Sequence, residues 1–483
     1  MRLMIEFITR LIEFLRKPGR LGLLFSTFFI GSSFSEQPNI VIIFNDDQGY
    51  QDLGCFGSPD IKTPRVDQMA REGMRFTDFY VASPVCSASR AALLTGKYPQ
   101  RVGVRGVFFP NRGVSGLDPK HVTIAETLRS VGYATAAVGK WHLGDHPNYL
   151  PTNQGFDSYY GIPYSNDMSP ARDMVYAANC LFREGQSLQT LQDAFNGELR
   201  KGSPRSLNQK VPLMRNEECI EFPVDQSTIT KRYADEGIKF ISQSVRAKKP
   251  FFLYLANSMP HTPLFASPEF KGKSERGAYG DTIEEIDFNT GRILDHLAKV
   301  GVEENTIVIF TSDNGPWLVK QEDSGSALPL FEGKFTSFEG GCRVPFIIKW
   351  PAKIPADTTS SAVAGTIDLH PTLARLAGAG RFETDWDGKD ISPLWFGKPE
   401  AKSPHQFLFM VQRGEAVRSG PWKYHRKMHF TTMAGHRPQQ GAALYNLHRD
   451  IGETTNLIDQ HPEVANELAE ALENHLERIR NQN

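Results

Sequence analysis

The chain has 483 residues, of which 40% are hydrophobic and 23% charged, and 54 basic against 55 acidic side chains give a formal net charge of −1. This length allows one large domain plus a smaller one, and the composition is typical of a globular protein. Because neither sign of charge is in excess, we expect no binding to nucleic acid, although a local cluster could still bind a small anion.

The first 35 residues have the pattern of a signal peptide. Basic residues that include Arg16 and Arg20 precede an apolar run over 21–30, and Ser33 and Ser35 offer a cleavage site before Glu36. The run is shorter than the ~20 apolar residues that span a bilayer, so we expect no stable membrane span. We therefore expect an exported protein, periplasmic or secreted, or in a lysosome-like compartment if eukaryotic. A membrane-surface helix is the alternative, because apolar residues over 4–15 also recur at helical spacing.

Short apolar runs alternate with helical patterns from Asn39 onward, which indicates an α/β fold with a mostly parallel sheet. The predicted strands are Ile40–Phe44, Ala134–Val138, Phe251–Ala256, Thr306–Thr311 and Pro345–Lys349. The predicted helices are Pro64–Gly73, Thr123–Gly132 and Asp281–Gly301.

Two further stretches bear on domain organisation. Residues 164–231 are polar and lack periodicity, so we expect long surface excursions with little chemistry of their own. A Pro-, Lys- and Ser-rich stretch over 398–404 predicts a boundary, with a catalytic domain over 36–400 and a smaller α+β subdomain over 401–483. The latter contains predicted strands at Phe407–Val411 and Ala443–Leu447 and a terminal helix at Pro462–Arg480.

Polar side chains follow four of the predicted strands. They are Asp46 and Asp47, Lys140 and His142, His261, and Asp313 and Asn314. Ligands of open α/β sheets gather at the carboxyl ends of strands, so we expect these groups at one edge. The three carboxylates and one amide are hard oxygen ligands, which favours calcium or magnesium over zinc. Asp, Asn and Gly are also common in turns, which is the alternative.

Cys86 is one of five cysteines, an odd number that leaves at least one unpaired or chemically special in an exported protein. The sequence predicts that it lies near the N-terminus of a helix, where free N–H groups and the helix dipole would attract an anion and lower the pKa of a thiol. Arg90 adds a charge suited to a tetrahedral oxyanion. A buried structural cysteine is the alternative. Cys180 and Cys219 flank a polar insertion and could form a disulfide.

Several motifs, in order along the chain, resemble those of the type I sulfatases. The segment 86–90, Cys-Ser-Ala-Ser-Arg, is similar to their signature Cys-x-Pro/Ala-Ser-Arg. Similar segments occur at 132–142, 313–315, 333–334, 339–345 and 444–457, so the resemblance covers nearly all of residues 38–479. Segments 161–168 and 314–317 resemble the arylsulfatase A and N-acetylgalactosamine-6-sulfatase branch.

The resemblance implies an alkaline phosphatase-like fold, in which helices enclose a large mixed sheet, and a sulfatase mechanism. Cys86 would be converted to formylglycine, and one calcium ion would be held by Asp46, Asp47, Asp313 and Asn314. Arg90 and Lys140 would steady the formylglycine oxygens and His142 would help to regenerate the aldehyde, while His261 and Lys334 would bind sulfate and assist the leaving oxygen. Ala88 replaces the commoner proline, so the maturation partner is either a formylglycine-generating enzyme or, favoured by this change, a radical-type one.

Two other functions fit the same residues. One is hydrolysis of phosphonate or phosphate esters with the same formylglycine and metal, and the other is non-catalytic glycan binding. The resemblance favours removal of sulfate from a sulfated sugar or an aryl sulfate, for instance a galactose or N-acetylgalactosamine sulfate at a chain end.

Overall fold

The computed structural model describes residues 37–197, 203–379, 385–412, 414–430 and 441–482. The signal peptide predicted over residues 1–35 lies outside these residues. None of the helices in the described ranges is long and apolar enough to cross a membrane.

The strands of the described chain form three sheets. They are β1 Asn39–Asn45, β2 Met74–Phe76, β3 Phe79–Tyr80, β4 Ala134–Gly139, β5 Ser158–Gly161, β6 Tyr176–Phe182, β7 Leu213–Arg215, β8 Glu218–Phe222, β9 Phe251–Ala256, β10 Thr306–Ser312, β11 Phe346–Lys349, β12 Thr358–Ser360, β13 Ala364–Gly365, β14 Leu408–Met410, β15 Glu415–Ser419, β16 Trp422–Lys427 and β17 Ala443–Asn446.

Helices lie between these strands along the chain. Those in the described ranges are α1 Pro64–Arg71, α2 Cys86–Thr95, α3 Ile124–Arg129, α4 Leu188–Gly197, α5 Ile229–Arg246, α6 Gly277–Lys299, α7 Glu339–Cys342, α8 Leu369–Leu376, α9 Ser392–Trp395 and α10 Pro462–Gln482.

The main sheet has the strand order β12-β2-β11-β10-β1-β9-β4-β5-β7-β8-β6. Its centre, β10-β1-β9-β4-β5, is parallel throughout, and antiparallel pairs flank it at β11 and β7. All seven residues of β10 are buried, as expected for a strand covered on both faces. The predicted α/β fold with a large mixed sheet is confirmed.

Alternate residues of β1 pack into two separate hydrophobic cores, because successive side chains of a strand point to opposite faces. Ile40, Ile42 and Phe44 join one core with residues of α2, α3 and α8. Val41 and Ile43 join the other with residues of α1, α5 and α6. Helices therefore cover both faces of the sheet, which leaves its edges for ligand binding.

A separate four-stranded antiparallel sheet, β14-β15-β16-β17, lies near the C-terminus. Helix α10 packs against it through Leu468 and Leu472, which share a core with Val417 and Leu444. The expected small antiparallel sheet with a terminal helix is present, and β15 and β16 are additions to the predicted strands. The domain boundary at residue 400 stays a prediction.

The prediction of irregular surface excursions over residues 164–231 is wrong. Strands β6, β7 and β8 lie in this stretch and extend one edge of the main sheet. Strand β6 is only partly buried, and its pairing with β8 is interrupted between Tyr176 and Leu181. Strands β6, β7 and β8 lack the continuous apolar runs of the central strands, so the sequence pattern missed them.

Candidate active site

Four adjacent parallel strands, β10, β1, β9 and β4, end at one edge of the main sheet. Asn45 at the end of β1 pairs with Ser312 at the end of β10, and Gly139 of β4 pairs with Ala256 of β9. The segments that follow therefore start at the same level of the sheet. They carry Asp46, Asp47, Lys140, His142, His261, Asp313 and Asn314, all buried.

The chain turns sharply at this edge. Gly139 has a φ of +109°, and a Cβ at this position would lie 1.8 Å from the carbonyl oxygen of Ala256. The same carbonyl accepts a hydrogen bond from the N–H of Lys140 at 2.7 Å, which holds it in this position. Only glycine therefore fits at residue 139. Asp47 and His142 have positive φ values of 64° and 60°. Such strain in non-glycine residues is concentrated at functional sites.

Cys86 is the first residue of α2 and is buried, with 2% of its surface exposed. Its sulfur and a carboxylate oxygen from each of Asp46 and Asp47 lie within 4.8 Å of one another. Burial raises the pKa of the Cys86 thiol to about 11, although Lys140 and Lys334 oppose the rise. The expected lowering of the thiol pKa is therefore wrong, because the cost of burying a thiolate exceeds the help from neighbouring cations.

Arg90 lies one turn along α2 from Cys86 and connects two of the strand ends. Its Nε and Nη2 donate to Asp313 Oδ2 at 3.1 and 2.8 Å, and its Nη1 donates to the carbonyl of Lys140 at 2.9 Å. Asp46 Oδ1 is 3.8 Å from its Nη2. The guanidinium and both carboxylates are fully buried, so this fixed charge is poorly screened by solvent.

Two lysines pair with the acids that follow β1. Lys140 Nζ forms an ion pair with Asp46 Oδ2, and Lys334 Nζ lies 2.6 Å from Asp47 Oδ1. Burial opposes ionisation of Asp46, but Lys140 and the other nearby cations outweigh it and hold the pKa of this carboxyl below its usual value. Burial and the charge of Asp46 raise the pKa of Asp313. The site thus holds three carboxylates close to three fixed cations.

His261 lies between these groups and a polar loop. Its Nε2 is 3.7 Å from Asp47 Oδ2, and its Nδ1 is 3.0 Å from Asn166 Oδ1 and 2.6 Å from the carbonyl of Thr262. The hydroxyl of Ser165 is 3.3 Å from Nε2 and 3.2 Å from Lys140 Nζ. Burial, together with the positive charge of Lys334, lowers the pKa of His261.

The tautomer of His142 follows from its single hydrogen bond in the described residues. Its Nε2 is 3.0 Å from the carbonyl oxygen of Phe108, which can only accept, so Nε2 carries the hydrogen. Its Nδ1 is buried and has no hydrogen-bond partner among the described residues. Burial and the charge of Lys140 hold the pKa of His142 well below its usual value, so the free nitrogen is an unprotonated acceptor.

The acids and the amide fit a hard divalent cation. Asp46 Oδ1 and Asn314 Oδ1 are buried oxygens without a hydrogen-bond partner in the described ranges. The Asn314 amide nitrogen donates to Asp47 Oδ1 at 2.7 Å, and the backbone N–H of Asp47 donates to Asp313 Oδ1 at 3.1 Å, so Asp47, Asp313 and Asn314 are held together. Unpartnered buried oxygens are costly unless a cation binds them.

Three residues of this site were not among the predicted site residues. Ser165 and Asn166 lie in the stretch 164–231, which was expected to carry little chemistry. Trp317 lies in the family-like segment 314–317, and no role was predicted for it. The Trp317 ring lies 5.4 Å from the His261 ring, and Lys334 Nζ lies 4.9 Å from its centroid. Only the position of Ser165 and Asn166 in a family-like motif could have suggested them, because their contacts join segments about 95 residues apart.

The profile of the Sulfatase family matches residues 38–379, and that of the N-sulphoglucosamine sulphohydrolase C-terminal region matches residues 329–482. Human arylsulfatase A is 38% identical, covering 92% of this chain and 87% of the relative. N-acetylgalactosamine-6-sulfatase from Canis lupus familiaris is 36% identical, covering 84% and 75%. The crystal structure of Ps i-CgsB in complex with k-i-k-neocarrahexaose superposes with a TM-score of 0.75 and 32% identity, covering 91% and 92%.

The chain belongs to the sulfatase family. Its reaction is accordingly the hydrolysis of sulfate esters, the activity for which its relatives are named. Enzymes of this family use a formylglycine residue and a divalent metal ion.

Proposed function

We propose that this sulfatase removes sulfate from a sulfated sugar, with a nucleophile formed from Cys86 beside a bound calcium ion. The observation that carries the proposal is the cluster of Cys86, Asp46 and Asp47, whose reactive atoms lie within 4.8 Å of one another. Arg90, Lys140, Lys334 and His261 surround this cluster, so a negatively charged ester can be bound and its transition state stabilised there.

Cys86 is a poor nucleophile as a thiol, because its raised pKa leaves little thiolate at neutral pH. We propose that it is oxidised to formylglycine, which supplies an oxygen nucleophile once its aldehyde is hydrated. The N–H groups of the first turn of α2 and the helix dipole favour negative charge at this position. A formylglycine-generating or a radical-type maturation enzyme would perform the oxidation.

We propose Asp46, Asp47, Asp313 and Asn314 as the calcium ligands. Their oxygens are of the kind that calcium prefers, and two of them are unpartnered in the described structure. When bound, the ion supplies positive charge to the non-bridging sulfate oxygens.

The remaining side chains have distinct proposed roles. Arg90, which hydrogen-bonds Asp313 and the backbone of Lys140, would steady the oxygens at residue 86 together with the Lys140 ammonium. Lys334 would bind the sulfate. The free Nδ1 of His142 would accept the proton whose loss from residue 86 regenerates the aldehyde.

His261 is proposed to protonate the departing oxygen. Its Nδ1 faces acceptors from Asn166 and Thr262, at 3.0 and 2.6 Å, so Nε2 is the nitrogen that remains for the substrate. A bound sulfate adds negative charge, which favours the protonated ring and offsets the lowering of its pKa by burial. A protonated Nε2 can then donate its hydrogen to the leaving oxygen.

Three observations support a sugar as the substrate. Trp317 is partly exposed and offers an aromatic ring beside His261 and Lys334, and aromatic walls with a few polar groups are typical of ligand sites. Ps i-CgsB was solved with an oligosaccharide, and a relative is named for N-acetylgalactosamine sulfate.

We also propose export, on the signal-like pattern of residues 1–35.

Sulfate release from a panel of sulfated mono- and oligosaccharides tests the proposal. We expect release from a small subset of the panel and none from the Cys86→Ala variant. The matched control is Cys219→Ala, since Cys219 is a fully buried cysteine in β8 and should be dispensable. Faster turnover of bis-nitrophenyl phosphate than of any sulfate ester would contradict the proposal and support a phosphodiesterase.

A further inference from the structure

We propose that Asn166 is a positioning residue, which fixes the ring orientation and the tautomer of His261 so that Nε2 faces the substrate. This inference rests on the proposed function, in which His261 protonates the leaving oxygen. Asn166 lies in the stretch 164–231, which the sequence pattern predicted to carry little chemistry of its own.

The Asn166 side chain holds the histidine from two sides. Its Oδ1 lies 3.0 Å from His261 Nδ1, and its Nδ2 donates to the carbonyls of His261 at 3.1 Å and Pro263 at 2.8 Å. The Asn166 backbone carbonyl accepts a hydrogen bond from Gln226 Nε2 at 3.0 Å. Asn166 is fully buried and His261 is 3% exposed. The amide is thus held at its backbone and at both ends of its side chain.

These contacts also fix which way the amide points. An asparagine Nδ2 can only donate and a backbone carbonyl can only accept, so the end that faces the His261 and Pro263 carbonyls must be Nδ2. Oδ1 is therefore the atom facing His261 Nδ1. Because Thr262 presents a second acceptor to the same nitrogen at 2.6 Å, Nδ1 must carry a hydrogen in every protonation state.

Besides Asn166, the Thr262 carbonyl is the one neighbour in the described residues that distinguishes the two ring nitrogens. The Ser165 hydroxyl is 3.4 Å from Nδ1 and 3.3 Å from Nε2, so it does not distinguish the two nitrogens, and a hydroxyl can donate or accept. The Thr262 carbonyl is an acceptor on the adjacent residue. Asn166 adds an acceptor from a distant segment whose direction is fixed independently. The second ring nitrogen of a catalytic histidine is commonly oriented by such a partner.

The test is the dependence of kcat on the leaving group, because a merely structural residue would not change it. Aryl sulfates from 4-nitrophenyl sulfate to 4-methoxyphenyl sulfate release phenols of increasing basicity, and only the more basic ones need a proton as they leave. We expect Asn166→Leu to lower kcat for 4-methoxyphenyl sulfate about 100-fold, within the range of general acid catalysis, and for 4-nitrophenyl sulfate less than about 10-fold. KM should change little across the series.

Two further variants make the result decisive. Asn166→Asp retains an acceptor for His261 Nδ1 and loses the hydrogen bonds to the His261 and Pro263 carbonyls, so stability should fall while the wild-type dependence on the leaving group largely persists. Asn257→Leu removes another buried asparagine at the end of β9, which bonds Asn45 and not His261, and should leave that dependence unchanged. If Asn166→Leu does not fold, the smaller Asn166→Ala takes its place.

An equal loss of kcat for every aryl sulfate in the Asn166 variants, or a loss confined to KM, would overturn the inference. So would a steep dependence on the leaving group in Asn166→Asp. Failure of the proposed function has a different signature: mature wild-type protein would then release sulfate from no member of the series.

Discussion

We predict that Lys423→Met lowers the free energy of unfolding by ~3–5 kcal/mol, the usual cost of leaving a buried charge without its partner. Lys423 lies on β16, where its Nζ is 2.8 Å from Glu339 Oε1 and 3.2 Å from Glu453 Oε1, and all three side chains are fully buried. Together with neighbouring groups they form a buried charge cluster. Its members are Asp78, Glu339, Glu453, Arg343, Arg418 and Lys423.

The size of the effect follows from the balance of charges in this cluster. Three carboxylates face three basic side chains, and methionine fills the space of the lysine while removing one positive charge. Burial opposes ionisation of Glu339, yet Lys423, with Arg343 and Arg418, holds its pKa well below the usual value. Loss of Lys423 therefore leaves an excess of buried negative charge. Replacing Glu453 with glutamine in the same chain removes that excess and should restore much of the stability.

Urea denaturation at neutral pH measures the change. Lys427→Met is the matched control, because Lys427 is the exposed last residue of the same strand, and its substitution should change stability by less than about 0.5 kcal/mol. A loss for Lys423→Met no larger than that of the control would show that Lys423 does not balance the buried carboxylates, and so would a double variant less stable than Lys423→Met alone.

Three other outcomes are expected. EDTA should abolish sulfate release, and added calcium should restore it. Asp46→Asn should raise the calcium concentration required for half-maximal activity by at least about 10-fold. Activity that EDTA does not change would exclude the metal site. Burial lowers the pKa of His370 to about 3. Between this value and the usual pKa of about 6.5, the folded protein binds fewer protons at this residue than the unfolded chain does. His370 should therefore reduce the free energy of unfolding by about 1.4 kcal/mol for each pH unit as the pH falls through this range. His370→Gln should therefore lose less stability than wild type between pH 7 and pH 5 in urea titrations, and parallel losses would contradict the assignment. Trp317→Ala should raise KM for the sulfated sugar about 10-fold, equivalent to ~1.4 kcal/mol of binding energy from the aromatic ring, and Trp317→Phe should not. Equal KM values for wild type and Trp317→Ala would show that Trp317 does not contact the sugar.

The central strands could be predicted from sequence because both of their faces are buried. Phe251–Ala256 was predicted with the bounds that the structure has, and Thr306–Thr311 falls one residue short of β10. The polar residues after these strands identified the edge of the sheet without any knowledge of strand order. Parallel strands bring their carboxyl ends together, so residues as far apart as Asp46 and Asp313 could be expected to meet.

Other features depend on contacts that no local pattern records. The partners of two C-terminal histidines are examples, since His425 is fully buried and bonds Glu453 at 2.8 Å, and His405 bonds Asp368 at 2.8 Å. The pKa of the Cys86 thiol was predicted to be lowered, whereas burial raises it. A helix start is visible in sequence, whereas the degree of burial at that start is not.

The mass of the tryptic peptide over residues 76–90, taken from protein isolated from its native host, shows directly whether Cys86 has become formylglycine. This peptide contains Cys86 as its only cysteine, so a change at that side chain is read without ambiguity. We expect the mass of formylglycine at residue 86, together with reaction of the peptide with a hydrazine probe for aldehydes. An unmodified thiol at residue 86 in protein that releases sulfate would contradict this expectation.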